Sequence, residues 1–323
     1  MTASASRILV TGAGGFVGSL LVRQLAAKLP AGSTLFAAGH EGDGGAIVPL
    51  ALDVTDAKAV EDTLRSVAPS CVMHLAAVSS FHLARQNPRR AWDVNLYGTL
   101  NLADALLKHA SDAILVFAGT SEAYGEAFNQ SALPLDERAP LLPRNLYAAT
   151  KAAADLALGQ MAYDGLKTVR FRPFNHTGPG QGADFVVPAF AAQIARIEAG
   201  MAPPVIDVGN LDAQRDFLDV RDVIAAYEAV LLGGACASGA VFNVSSGQPR
   251  RIGDVLDDLL ALSNLAIEVR VDPARLRPNE VPVVSGSSAL AREVLGWEPK
   301  IAWHRTLADV LDGFRGQMAS ERS

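Results

Sequence analysis

Between Thr11 and Gly18 the chain reads TGAGGFVG, directly after the apolar run 7–10 and directly before the amphipathic pattern 16–29. Glycines at 12, 15 and 18 in that setting leave few structural options. The first permits a tight turn, the second a close approach of backbone to a pyrophosphate, and the third close contact between helix and sheet. The helix that opens there points its unpaired N–H groups at an anion. A glycine-rich stretch by itself is a weak signal. Its place between a strand and a helix makes it a dinucleotide-binding fingerprint, with Phe16 and Val17 in the first turn of the helix. The acid usually found about 20 residues on, at the end of the second strand, is absent, and Gly39 and His40 stand in its place. Without a carboxylate to repel a 2′-phosphate, both NAD(H) and NADP(H) fit, with a lean to NADP(H). His40 either touches that phosphate or is an ordinary loop histidine. Asp53, in LDVTD with Val54 beside it, either accepts from an adenine amino group or caps the helix beginning near Asp56.

The rest of the first half repeats the same alternation. Short apolar runs at 34–38, 48–52, 70–75, 113–118 and 168–171 alternate with helical patterns at 56–67, 88–109 and 146–163. Runs apolar on both faces suit parallel strands covered by helices on either side. After Pro173 the chain turns richer in Gly, Pro and loop-like clusters. The expected architecture is therefore α/β: a Rossmann doubly wound parallel sheet over 1–174, with 175–323 mainly a smaller substrate-binding C-terminal lobe. Segments near 218–246 and 283–303 are expected to return to the sheet domain. With 50% hydrophobic and 19% charged residues the chain has ample material for a core. A formal charge of −6 without a basic run argues against nucleic acid and anionic membranes. No apolar stretch reaches the roughly 20 residues of a membrane span. Cys71 and Cys236 are too few and too isolated for a disulfide framework or a zinc site. No leader pattern opens the chain, so the expected setting is cytoplasmic, without a metal.

Tyr147 and Lys151 form YxxxK and so share one helical face, a turn apart. A phenol ordinarily titrates near 10. A nearby ammonium favours its ionised form and would let it exchange a proton near neutral pH. Upstream, the run 113–118 ends in GTSEAYG, which brings the Thr120 hydroxyl to the carboxyl edge of the sheet, where open α/β folds bind ligands. The competing reading is a turn or helix cap by Thr120 or Ser121.

Taken together, TGxxGFxG, LDVTD, HLAA at 74–77, Thr120 and YxxxK resemble the extended short-chain dehydrogenase/reductase family over essentially the whole chain. The resemblance implies a catalytic triad of Thr120, Tyr147 and Lys151. It also implies a cofactor lined by Leu75, Ala76 and Ala77, with Phe174 following the sixth strand beside the nicotinamide. RPFNHTGPGQ (172–181), VGNLDAQRDFLDVRD (208–222) and DPARLRPNEVP (272–282) are similar to the GDP-sugar branch, and within it to reductases of GDP-linked 4-keto-6-deoxymannose. By that resemblance Ser121 meets the substrate, Asn175 and Arg215 hold its diphosphate side, and Arg277 and Glu280 grip the diphosphate and the nucleotide ribose. The chemistry agrees, since a diphosphate suits guanidinium forks and a ribose diol a carboxylate. The expected reaction is NAD(P)H-dependent reduction at C4 to a GDP-6-deoxyhexose, either GDP-D-rhamnose or its C4 epimer.

Glu122 keeps a second enzyme reading open. In the related GDP-mannose 4,6-dehydratases a glutamate in the same Thr-Ser-Glu context removes the C5 proton. A nucleotide-sugar epimerase on this scaffold is a further variant, and an NAD(P)-sensing regulator is the non-enzymatic alternative. The intact Tyr147–Lys151 pair argues against a sensor. His176, beside Asn175, reads as structural ahead of catalytic. The helix 146–163 is apolar nearly all round, which predicts a second partner and hence a twofold homodimer.

Overall fold

The computed structural model describes residues 5–41, 47–79, 81–233, 236–276 and 281–321. The first six strands are β1 (Arg7–Thr11), β2 (Thr34–Ala38), β3 (Ile47–Leu50), β4 (Cys71–His74), β5 (Ile114–Ala118) and β6 (Thr168–Pro173). The later ones are β7 (Asn175–Thr177), β8 (Val205–Val208), β9 (Gln214–Asp219), β10 (Ala240–Val244), β11 (Pro249–Arg251), β12 (Glu268–Val271) and β13 (Val283–Val284). The main sheet is parallel throughout, in the order β10-β6-β5-β4-β1-β2-β3. This is the doubly wound α/β architecture expected from the alternation, with its strand order reversing beside β1 and opening a crevice at the carboxyl ends.

Strand periodicity sorts the core. Ile8 and Val10 of β1 join the helices Phe16–Lys28 and Val220–Leu231 on one face, while Leu9 between them joins Ala57–Val67, Gly98–His109 and Leu146–Met161 on the other. Successive side chains of a strand point to opposite faces, so a single apolar run feeds both layers. A third core, with Phe190, Ile194, Ile252, Leu256 and Leu311, belongs to the helices of the later half. There β9 pairs with β7, β11 and β13, and β8 with β12. The pairing β8–β12 is parallel and joins two short runs far apart in sequence. Meanwhile β10 returns to the main sheet beside β6, and Ala291 and Trp297 pack into the same core as the first helix.

Two local features depart from the sequence expectation. The third strand begins one residue earlier and ends two earlier than 48–52. The helical stretch 88–109 is not one regular helix: Pro88–Trp92 and Gly98–His109 flank a π-helical turn, Asp93–Tyr97. Asn95 in that turn holds the backbone of Val78 at both ends, accepting from its N–H at 2.7 Å and donating to its carbonyl at 3.2 Å. Gly98 follows because a Cβ there would lie 2.7 Å from a methyl of Val54. Single π-turns of this kind frequently mark functional sites.

Candidate active site

The glycine loop is sterically committed. Gly12 has φ +70°, and a Cβ on it would lie 2.6 Å from the backbone nitrogen of Ala76. A Cβ on Gly14 would run into the carbonyl of Gly39, and one on Gly18 into the carbonyl of Gly12. These contacts bring the loop, the end of β2 and the Leu75–Ala76 segment together at one edge of the sheet. Such a cradle of bare backbone fits a dinucleotide pyrophosphate. Gly15 precedes the helix carrying Phe16 and Val17, and Ala77 continues from Ala76. Gly39, at φ +86°, and His40 stand at the end of β2, where an adenosine ribose is read in this architecture.

Asp53 accepts from the Thr55 N–H at 2.9 Å and the Thr55 hydroxyl at 2.8 Å, with Arg90 at 3.4 Å. The bonds from Thr55 first, and Arg90 after them, hold its carboxyl below the usual range. The capping alternative for Asp53 does not stand, because Asp56 caps Ala57–Val67 by accepting from Lys58 and Ala59. Val54 is buried and its carbonyl accepts from Asn101.

Tyr147 and Lys151 lie in the helix Leu146–Met161, which Asn145 starts by accepting from the Ala148 N–H at 2.8 Å. The other end of the Asn145 amide donates to Glu122 at 2.8 Å, so one residue sets the helix start and holds the Glu122 carboxylate. Thr120 serves two purposes. Its hydroxyl accepts from the Glu122 N–H at 3.2 Å, capping the short turn Ser121–Tyr124, and also bonds the Tyr147 phenol.

The electrostatics reverse one expectation. Burial first, and the Glu122 carboxylate second, push the Tyr147 phenol well above its usual range, while the Thr120 bond pulls it down. Lys151 does not enter. Its ammonium lies 4.2 Å from the ring centroid of Phe117, and burial lowers it to about 7 against the support of Asp155. The anticipated depression of the phenol by Lys151 is thus corrected: Tyr147 is held protonated, the state required of a proton donor.

A buried chain of hydrogen bonds ties the glycine loop to this helix. The Thr99 hydroxyl donates to the Asn95 carbonyl at 2.8 Å, so it accepts from His74 Nε2–H at 3.0 Å. His74 Nδ1 then accepts from the Thr11 hydroxyl at 2.7 Å. Burial, with Lys151 adding to it, lowers His74 to about 3 and keeps it neutral for this arrangement. From Asn95 the amide donates to Thr150 at 2.9 Å, and Thr150 donates to the Tyr147 carbonyl at 2.8 Å. The sequence reading missed Asn95. Its signal was an amide between the apolar Val94 and Leu96, three positions before Gly98.

A second group was also missed. Asp155, one turn beyond Lys151, is buried between two guanidinium groups. Arg172 meets it with a fork, both bonds 2.9 Å, and Arg170 at 2.9 Å. Arg172 also donates to the Tyr124 hydroxyl, which donates to Asn243. This network fastens the helix Leu146–Met161 to β6 and to the turn after Thr120.

Of the residues expected to meet the substrate, Asn175 and Arg215 stand on neighbouring strands, with Asn175 opposite Phe217. One Arg215 nitrogen donates to the carbonyls of Gln214 and Val281. Ser121 is buried at the start of its turn. Arg277 and Glu280 lie outside the described residues. Phe174 is corrected: its ring is 1% exposed and packs edge-on against Phe128 in a small core with Tyr124. A side-chain contact with a nicotinamide is therefore not available to it. His176 donates from Nδ1 to the Phe174 carbonyl at 2.9 Å while its own carbonyl accepts from Gln181, a structural arrangement.

A family model described as GDP-mannose 4,6 dehydratase matches residues 9–310. The chain is 36% identical over 316 residues to the GDP-6-deoxy-D-mannose reductase of Pseudomonas aeruginosa, covering 98% of this chain and 99% of that protein. It is 30% identical to GDP-mannose 4,6 dehydratase 1 of Arabidopsis thaliana, over 80% of this chain and 72% of that one. Among solved structures it superposes on RMD from Pseudomonas aeruginosa complexed with NADPH, with TM-score 0.84, 33% identity and coverage of 97% and 100%. It also superposes on the UDP-glucose 4-epimerase of Thermotoga maritima with UDP-glucose, with TM-score 0.85, 25% identity and coverage of 96% and 99%.

Proposed function

The chain belongs to the GDP-mannose 4,6-dehydratase family of extended short-chain dehydrogenase/reductases, and we propose that it works there as a reductase. The reaction is NAD(P)H-dependent reduction of the C4 keto group of GDP-4-keto-6-deoxy-D-mannose to a GDP-6-deoxyhexose. The observation that carries this reading is the full-length match to a reductase, 98% of this chain against 80% for the dehydratase named above. The solved relative bound to NADPH supports the lean to the phosphorylated cofactor.

When bound, the nicotinamide supplies hydride to C4; the rest falls to the side chains. Thr120, beside the Tyr147 phenol, orients the keto oxygen, and Tyr147 donates its proton to the alkoxide. An alkoxide is a stronger base than a phenolate, so a phenol held protonated by burial still gives up its proton in that step. Lys151 stands one turn away to bind the nicotinamide ribose, and its nearness to neutrality lets it restore the proton afterwards. Asn175, Arg215 and, by the resemblance, Arg277 hold the nucleotide diphosphate, and Glu280 the nucleotide ribose. Guanidinium forks suit that task because the phosphate charge is constant through the reaction.

Glu122 is the feature that favours the dehydratase alternative. It is exposed and held by Asn145, within electrostatic reach of Tyr147. A dehydratase needs a base for the weakly acidic C5 proton, whereas a reductase has one proton to place and Tyr147 carries it. The expected result is that the protein oxidises NAD(P)H stoichiometrically with the 4-keto sugar and makes little keto sugar from GDP-mannose alone. Glu122→Gln retains the reductase activity, because glutamine preserves shape and the bond to Asn145. Rapid reductant-free conversion of GDP-mannose, abolished in Glu122→Gln, would establish the dehydratase instead. Product NMR assigns the C4 stereochemistry.

The proposal includes a twofold homodimer in the cytoplasm. Leu156 on the catalytic helix is 61% exposed and Tyr97 on its neighbour 50%. An apolar strip on two adjacent helices suits a four-helix contact about a twofold axis. Both cysteines are free thiols, which fits a reducing compartment. Among the described residues no helix is long and apolar enough to cross a membrane. Light scattering is expected to give twice the chain mass, and a monomer at micromolar concentration overturns the dimer.

A further inference from the structure

Asn145 has two ends to its amide, and each has a separate task. Its Oδ1 accepts from the Ala148 N–H at 2.8 Å and starts the helix that carries Tyr147. Its Nδ2 donates to Glu122, also at 2.8 Å. The first task does not call for an amide. Ser, Thr, Asp and Asn all cap helices well, but of these only Asn accepts at one end and donates N–H bonds at the other. An aspartate at this position would set a carboxylate against Glu122, and a serine would leave Glu122 without the bond.

Glu122 is exposed, and among the described residues the Asn145 amide is the one hydrogen-bond partner of its carboxylate. The cations at hand are engaged elsewhere. Arg144 pairs with Glu126, and the Lys151 ammonium sits over the Phe117 ring. Yet Glu122 bears on Tyr147, since its charge is the second cause, after burial, that raises the phenol. The backbone explains the closeness: the Glu122 N–H donates to Thr120, whose hydroxyl bonds that phenol. A carboxylate is a better acceptor for a phenol O–H than a neutral keto oxygen, because charge-assisted bonds are roughly twice as strong. Left free, Glu122 competes with the substrate for the one proton that Tyr147 has to give.

We infer that Asn145 is a positioning residue: it holds the Glu122 carboxylate off the Tyr147 phenol and so reserves the phenol proton for the substrate oxygen. Asn145 meets no reacting atom and acts through Glu122. The inference deepens the reading under Proposed function and rests on it for the destination of the proton. It also accounts for how a reductase works with a carboxylate beside its acid.

Two readouts on the full-length protein test this. Asn145→Ser and Asn145→Asp both keep a good cap and remove the amide donor. With NADPH and the 4-keto sugar, each is expected to lower kcat about 10- to 100-fold, the range of a competing bond to a charged group, at nearly unchanged KM. Removing the Glu122 charge cancels that loss, so Asn145→Ser with Glu122→Gln matches Glu122→Gln alone. Asn145→Asp with Glu122→Gln does the same, because amide and carboxylate have changed places and the bond is remade. The second readout needs no substrate. With carbon-13 at the tyrosine Cζ atoms, the Tyr147 NMR signal is identified among the five tyrosines by its loss in Tyr147→Phe. It is expected to move in both single variants and to keep its Glu122→Gln position in both double variants. A role confined to capping predicts the same loss of kcat with or without Glu122→Gln, and that result overturns the inference. So does wild-type kcat in both single variants, or a Tyr147 signal that stays in place in both. Failure of the wild type to oxidise NADPH with the keto sugar overturns the reading under Proposed function, and the NMR series alone then decides Asn145.

Discussion

Tyr147→Phe is expected to lower kcat for keto-sugar reduction by about 10²- to 10⁴-fold, the range of a lost general acid, and to leave KM nearly unchanged. Phenylalanine keeps the ring in its place on the helix and removes only the hydroxyl that bonds Thr120. Asn175 and Arg215 are untouched, so binding common to ground and transition state persists while a transition-state interaction is lost. The raised phenol sets the sign of the pH dependence. Tyr147 acts in its protonated form, and burial with Glu122 holds that form beyond its ordinary range. Between pH 6 and the ordinary tyrosine pKa of about 10, ionisation of Tyr147 therefore takes no activity away on the alkaline side. Steady-state kinetics across that range measure both effects. A variant with kcat close to the wild type, or a loss confined to KM, would remove Tyr147 from the proton transfer.

What the sequence made legible was what repeats at a fixed spacing. The glycine loop, the strand–helix alternation and the Tyr147–Lys151 pair are all local, and the structure places the loop and the pair at one edge of the sheet. The missed features are contacts between distant segments. Asp155 meets Arg172 across a helix and a strand, and Asn95 meets Thr150 across two helices. The raw signal was present in both cases, as a charged or amide residue between apolar neighbours, but its partner is fixed only by packing. The direction of the Tyr147 shift was misread for the same reason. Helical spacing puts Lys151 on the right face, yet the ammonium turns to the Phe117 ring, and rotamer choice is not written in a spacing. Phe174 was misplaced because the residue after a strand lies at the crevice by rule, while its ring turns back into the core formed with Tyr124 and Phe128.

Asp155→Ala is expected to destabilise the protein by about 3–5 kcal/mol, the cost of breaking a buried ion pair from one side. Asp155 is 1% exposed and Arg172 5%. Removing the carboxylate leaves the Arg172 and Arg170 guanidinium groups close together, with no counter-charge between them. Burial works most strongly against a charge on Arg172, and only the bonds and charge of Asp155 together with Tyr124 outweigh it in the native state. Lys151 suffers too, since Asp155 is the charge that supports its ammonium against burial. Its pKa falls further, and the residue meant to bind the ribose becomes neutral at working pH. Asp155→Asn separates the two consequences, because the amide preserves volume and one acceptor while lacking charge. Urea unfolding of the three proteins measures the effect as a lower midpoint at unchanged slope, the signature of lost native stability. The alanine variant is expected to fall furthest and asparagine to lie between. An alanine midpoint equal to the wild type would show that the arginines find other partners, and that β6 does not depend on this carboxylate to hold the catalytic helix.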